Sequence, residues 1–380
     1  LVQFMIINRT IKKELEAALN NPDRKVIILY GPRQAGKTTL IEMLLTQELS
    51  YKKYNGDDIF TQNIFSNNNL ENLKREIGEK DLLIIDEAQR INNIGLSLKL
   101  IIDNLPIKII VSGSASFDLA DKVCEPLTGR TKTFWLYPLS LKEVKDKIPQ
   151  MENDKIIEEI LLYGMYPKIW SIDEKKEKKD YLFEYINNYL YRDILTISKI
   201  KKPKKIIDLL TLLALQIGSE VSVSELAQNT NLTQSTVENY LDVLEKMFVI
   251  FNLRGFSRNL RKEISKTSKY YFFDMGVRNA LIRNFNSLSI RNDTGSMFEN
   301  WVISEKIKKS NNNREFSNFY FWRTYDQQEV NLIEDSKGKI TAYECKWKKD
   351  IKKVPSDWKK TYPQSKFNLV NKDNVFEFLS

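Results

Sequence analysis

The residues that most restrict what this chain can fold into are GPRQAGKT at positions 31–38. They fit G-x-x-x-x-G-K-[ST] without a mismatch, follow the strand-like run KVIILY and precede the helical run TTLIEMLL. A strand, a glycine-rich turn and a helix start in that order turn backbone amides into a concave nest, to which the helix N-terminus adds partial positive charge. Such a nest selects a phosphate chain. Gly31, Pro32, Arg33, Gln34, Ala35 and Gly36 form the cradle, and Lys37, Thr38 and Thr39 open the helix. Lys37 is expected to bridge the β- and γ-phosphates and Thr38 to offer its hydroxyl to Mg2+.

A second apolar run, LLIIDEAQ, ends in Asp86 and Glu87. An aspartate closing a buried strand beside the loop is suited to the Mg2+ shell, and the following glutamate to polarising an attacking water. A third run, IKIIVSGSAS, ends in Ser112 and Ser114. These serines fit either contact with the γ-phosphate and its water or plain capping of the strand end. Arg130, just before the last run of this region, fits either a surface position or a finger that reaches a neighbouring subunit's γ-phosphate. No NKxD-type guanine-reading tetrapeptide stands at a suitable place, so ATP is the expected nucleotide.

Short apolar runs at residues 25–30, 81–85, 107–112 and 131–137 alternate with helical stretches, the pattern of a parallel sheet flanked by helices. A helix over residues 11–19 precedes them, and residues 141–215 read as mostly helical. Residues 205–275 then read as helix, helix, tight turn, helix and two β-like runs, with Ser222 or Ser224 capping one helix and Thr233 the next. That order is the winged-helix arrangement. The connection between its two β-like runs carries Arg254, Arg258, Arg261, Lys262, Lys266 and Lys269 against one acid, Glu263. A basic wing suits a DNA duplex. The recognition-helix candidate at residues 233–247 points the other way: Glu238, Asp242 and Glu245 outnumber Lys246. Nucleic-acid contact and protein docking therefore both stand. A helix and three strands at about residues 297–347 form a further αβββ unit.

Composition removes several alternatives. The chain has no histidine, which excludes a His-ligated zinc site and a Ser–His–Asp triad. Its two cysteines, Cys124 and Cys345, make neither a disulfide framework nor a metal-ligand spacing. The apolar runs fall far short of a membrane span, and the short apolar start LVQFMII is followed rather than preceded by charge, so a cytoplasmic protein without a membrane partner is expected. A net charge of +9 over 380 residues favours an anionic partner only diffusely.

The combination GPRQAGKTTL, LLIIDEAQ, VSGSAS, TGR with YPLS, GMYP, YRDIL, KYYFFDMGVRNAL, GSMFENWVISE and FWRTYDQQEVNL resembles a family of archaeal and bacterial AAA+-type ATPases (AAA_14 with a C-terminal DUF4143 region) over about residues 8–350. The resemblance implies an α/β fold: a P-loop NTPase parallel sheet with a helical lid, then a winged helix and a PD-(D/E)XK nuclease-like α/β domain. The implied divisions are 1–140, 141–204, 205–290 and 291–380. In the nuclease-like part the residues corresponding to the metal site are Glu299, position 331, and Glu344 with Lys346. The family pattern EVD has become EVN, so Asn331 loses the charge that Mg2+ prefers, while Glu329 lies on the same face to compensate. Three readings follow. The first is an oligomeric ATPase, motor or switch, acting on DNA. The second is a nucleotide-controlled switch docking a protein partner, and the third an ATP-gated nuclease.

Overall fold

The computed structural model describes residues 6–45, 49–114, 126–191, 194, 203–256, 268–348 and 354–379. They form two compact units, Leu1–Tyr137 with Lys246–Phe248, and Pro138–Glu245 with Val249–Ser380. Among these residues no helix is long and apolar enough to cross a membrane.

In the first unit five strands, β1 (Val26–Tyr30), β2 (Tyr51–Asn55), β3 (Leu82–Asp86), β4 (Lys108–Gly113) and β5 (Thr131–Trp135), lie in the order β2-β3-β4-β1-β5. Every neighbouring pair is parallel. β1 is buried along its whole length, as expected of a parallel sheet covered on both faces. On one face Ile27, Leu29, Leu82, Ile84 and Ile110 share a core with Ile11, Leu15, Leu40 and Ile41 of the helices Lys12–Leu19 and Lys37–Glu42 and their leads. Because the strands run parallel, the ends of β1, β3 and β4 emerge at one edge, where an open α/β sheet binds ligands. Four of the strands follow the apolar runs of the sequence. β2 is not among them: it is an edge strand, YKKYN, in which only Tyr54 is buried.

The second unit opens with the helices Leu141–Lys147, Asn153–Tyr163, Lys175–Glu184 and Pro203–Leu215. Next come β6 (Glu220–Val221), the helices Val223–Thr230 and Gln234–Lys246, β7 (Ile250–Gly255) and β8 (Ser268–Phe272). After the helices Met275–Leu281 and Thr294–Asn312 follow β9 (Asn318–Arg323), β10 (Glu329–Ser336), β11 (Lys339–Lys346) and β12 (Lys366–Asn371). All seven strands join in one sheet, β12-β11-β10-β9-β7-β8-β6. The joint is a short parallel pairing of Arg254 with Tyr320 and Gly255 with Phe321, extended by the Phe256 amide donating to the Phe321 carbonyl at 2.6 Å. The hairpin β7–β8 and the C-terminal strands are therefore continuous across residue 290, and β12 adds a strand beyond the three expected.

Two of the sequence motifs lock this unit together. Asp274 of FFDMG accepts from the Val277 amide at 3.0 Å, capping its own helix, and from the Met165 amide of GMYP at 2.6 Å. Gly164 has φ +80°, and a Cβ there would lie 2.1 Å from Asp274 Oδ1; a Cβ on Gly276 would lie 2.1 Å from the Tyr163 carbonyl. Burial pushes the Asp274 carboxyl upward against those backbone donors.

Candidate nucleotide-binding site

The phosphate loop leaves β1 at Gly31, where a Cβ would fall 2.2 Å from the Leu136 carbonyl oxygen, so only glycine fits. It ends at Gly36, whose φ of +92° is left-handed and suits a residue without a side chain. Lys37 is buried, and its ammonium donates to the carbonyls of Gly31 at 2.8 Å and Pro32 at 3.1 Å. Thr38 and Thr39 are exposed at the helix start. Arg33 is half-buried, Gln34 is exposed with φ +60°, and Pro32 and Ala35 are buried.

The Thr38 hydroxyl donates to Asp86 Oδ2 at 2.7 Å. Asp86 Oδ1 accepts from the Ser112 hydroxyl and, at 3.0 Å, from the Glu87 amide. Glu87 sits in a left-handed turn, φ +50°. Gly56 makes room for that turn, since a Cβ on it would come within 2.3 Å of the Glu87 carbonyl oxygen. Glu87 Oε2 accepts from Gln89 Nε2 at 2.5 Å and from the Ser114 hydroxyl at 3.2 Å, and Gln89 Nε2 also reaches Ser114 Oγ at 3.1 Å. Ser112 and Ser114 thus each hold one of the two carboxylates. A threonine hydroxyl beside a carboxylate is a set of hard oxygens, the donor chemistry Mg2+ takes.

Arg130 lies at the other end of the sheet. Its carbonyl accepts from Val26, the first residue of β1, at 2.8 Å, and its Nε donates to Asp103 Oδ1 at 2.7 Å. The length of β1, about 13 Å at the usual rise per residue, separates that level from the loop of the same chain. The motifs assign no role to two residues of the site. Gln89 orients Glu87, and Arg9, 7% exposed, donates to the Ala35 carbonyl of the loop at 2.7 Å and to the Tyr137 carbonyl at 2.6 Å.

The second unit brings the expected nuclease-like residues together as a hydrogen-bonded network. Glu299 Oε1 accepts from the Tyr271 hydroxyl at 2.6 Å, and Oε2 from Asn331 Nδ2 at 2.8 Å. The other end of the Asn331 amide accepts from the Cys345 backbone at 2.8 Å. Lys346 pairs with Glu344 at 3.0 Å. Lys269 belongs here and not, as its place in the sequence suggested, to an exposed wing. Its side chain is 1% exposed, its ammonium pairs with Glu329 and lies 3.9 Å from Glu299. Glu329 therefore compensates nothing at position 331, being taken by Lys269. Burial pushes the Glu299 carboxyl up to about 7, against the pull of Lys269 and the Tyr271 hydrogen bond. Burial likewise raises Glu344. Among the described residues no three acidic, cysteine or histidine side chains converge to hold a metal ion. The residues present do not fit a divalent cation.

Of the basic residues expected on the wing, Arg254 is exposed, whereas Arg258, Arg261, Lys262 and Lys266 lie outside the described residues. On the helix Gln234–Lys246, Val237, Tyr240, Leu241 and Leu244 face the core, and Gln234, Ser235, Glu238, Asn239 and Asp242 are exposed.

Comparison with known proteins agrees with the motifs. Residues 23–145 match the family described as an AAA domain (AAA_14), and residues 154–288 and 294–378 match two domains of unknown function, DUF8612 and DUF4143. An uncharacterized protein of Mycobacterium tuberculosis is 26% identical over 90% of this chain and 74% of its own length. One from Methanocaldococcus jannaschii is 27% identical over 79% of this chain and 69% of its own. Among solved structures, the Aeropyrum pernix ORC1 protein in complex with DNA is 13% identical over 74% of this chain and 94% of that one, with a TM-score of 0.35, a slight overall likeness.

Proposed function

For a chain that carries an AAA domain ahead of a DUF4143 region, we propose an ATPase that binds ATP with Mg2+, hydrolyses it, and works in the cytoplasm as an oligomeric motor or switch on DNA. The observation that carries this reading is the meeting of Thr38 and Asp86 at 2.7 Å beneath a glycine-bounded loop at the carboxyl edge of a parallel sheet. Loop amides and Lys37 bind the β- and γ-phosphates, the ammonium exchanging carbonyl partners for anionic oxygens. Thr38 and Asp86 would hold Mg2+, which neutralises charge on those phosphates. Glu87 polarises the attacking water, and Gln89 and Ser114 keep its carboxylate aimed. Arg130, paired with Asp103 at the far end of β1 from its own loop, is assigned to a neighbouring subunit's γ-phosphate.

In this reading residues 141–204 serve as the helical lid, residues 205–290 as the winged helix and residues 291–380 as a nuclease-like fold retained for binding. The ammonium of Lys269 among the acids speaks against cleavage. Glu238 and Asp242 on the exposed face of Gln234–Lys246 favour a second reading, in which that helix docks a basic protein surface rather than a phosphate backbone.

The test is steady-state ATP hydrolysis with Mg2+, alone and with duplex, branched and single-stranded DNA, for the parent and Lys37→Ala. Turnover that vanishes in the variant and rises with DNA supports the first reading. Hydrolysis indifferent to DNA supports the second. Undiminished turnover in Lys37→Ala sinks both.

A further inference from the structure

Arg9 stands three residues ahead of the helix Lys12–Leu19 and far from the phosphate loop in sequence, yet its guanidinium is buried against that loop. One arm donates to the Ala35 carbonyl at 2.7 Å and the other to the Tyr137 carbonyl at 2.6 Å. The first contact has a geometric consequence. The carbonyl of Ala35 and the N–H of Gly36 belong to one planar trans peptide and point in opposite directions. Holding that carbonyl against Arg9 therefore turns the Gly36 amide away from Arg9. This peptide needs holding, because Gly36, at φ +92°, lacks the side chain that would otherwise restrict its rotation.

The second contact fixes the frame. Tyr137 directly follows Leu136, whose carbonyl oxygen leaves Gly31 no room for a side chain. Both ends of the loop, Gly31 by contact and Ala35 through the arginine, are thus referenced to the same two residues after β5. An arginine suits the task because its planar fork reaches two carbonyls at fixed separation; a lysine ammonium offers no such fork. Its charge also favours an anion on the loop.

We infer that Arg9 is a positioning residue of the nucleotide site, which sets the Ala35–Gly36 peptide so that the Gly36 amide faces the phosphates. The inference rests on the ATPase reading above and adds to it the ligand part that Arg9 serves: the phosphate chain and not the base.

The experiment measures binding of Mg·ATP and of inorganic tripolyphosphate by calorimetry to the parent, Arg9→Gln, Arg9→Lys and Lys37→Ala, with thermal unfolding of each in the absence of ligand. One amide hydrogen bond to a charged oxygen corresponds to about a tenfold change in affinity. Arg9→Gln is expected to weaken ATP and tripolyphosphate by that same factor. Arg9→Lys is expected to recover part of the loss, and its unfolding to stay near that of the parent. Equal affinity for both ligands in parent and Arg9→Gln overturns the inference. So does a loss confined to ATP, which would place Arg9 at the base, and so does a loss in Arg9→Lys that merely tracks a drop in unfolding temperature. Failure of the parent to bind ATP, or intact binding in Lys37→Ala, overturns the ATPase reading instead.

Discussion

Asp293 directly precedes the helix Thr294–Asn312, and its carboxylate lies between two guanidinium groups. Oδ2 is 2.6 Å from Arg278 Nη1 and 2.7 Å from Arg291 Nη2, while Oδ1 accepts from Arg291 Nε at 2.8 Å. The two arginine side chains are 2% and 1% exposed, and the aspartate 22%. Burial alone would raise this carboxyl, but the hydrogen bonds from Arg291 and Arg278 outweigh it and hold it at about 2, from an ordinary 3.8. A depressed acid stabilises the fold fully above its unfolded value and loses that contribution as pH falls through its folded one. The window therefore runs from about pH 4 down to pH 2. The separation corresponds to about 2 kcal/mol, and the remaining exposure trims it to between about 1 and 2. Asp293→Asn removes the charge while both arginines stay buried, which at neutral pH costs about 3–5 kcal/mol. Hydrogen exchange of the amides in Thr294–Asn312, measured in both proteins at pH 7 and across the acid range where each stays folded, reads this directly. The parent is expected to lose protection on acidification more steeply than the variant, so the gap between them narrows. A gap that stays constant with pH, or a neutral-pH loss below about 1 kcal/mol, refutes the account.

Three further outcomes follow from the geometry. Glu87→Gln keeps the hydrogen-bonding shape and removes the base, so ATP binding should stay within about threefold while turnover falls about 10²–10⁴-fold in a phosphate-release assay. Gly164→Ala places a methyl group 2.1 Å from Asp274 Oδ1 at a positive φ. Urea denaturation should show a loss of about 2–3 kcal/mol in the second unit. Arg130→Ala should leave nucleotide affinity unchanged and reduce turnover; adding a hydrolysis-dead Glu87→Gln partner that still carries Arg130 should restore part of it, measured in mixed-subunit titrations.

The candidate nucleotide site is legible in the sequence because each of its parts is contiguous: a loop of eight residues, and a carboxylate pair at the end of an apolar run. Ser112 and Ser114 were visible as positions, but their task depended on strand order. Only when β4 lies beside β3 do their hydroxyls reach Asp86 and Glu87. Arg9 carried no local signal, since its partners Ala35 and Tyr137 are distant in the chain. β2 escaped notice because an edge strand with one buried residue lacks the apolar run that marks its neighbours. The pairing of β7 with β9 joins segments about 65 residues apart through two residue pairs, and nothing in either segment's pattern encodes the other.

Lys269 stands in one setting in the sequence and in another in the fold, and the difference bears on chemistry. In the sequence it ends a basic stretch; in the fold the alternation of β8 turns it inward beside Tyr271. There a tethered ammonium pairs with Glu329 and approaches Glu299, carboxylates that a divalent ion would otherwise need. Asn331 works in the same direction. A carboxylate at 331 would add negative charge beside Glu299, whose proton is already held up to about 7, whereas the amide supplies an N–H to Glu299 and accepts from the Cys345 backbone. The amide at 331 and the buried ammonium of Lys269 thus act together, and the acids are offset by the chain itself.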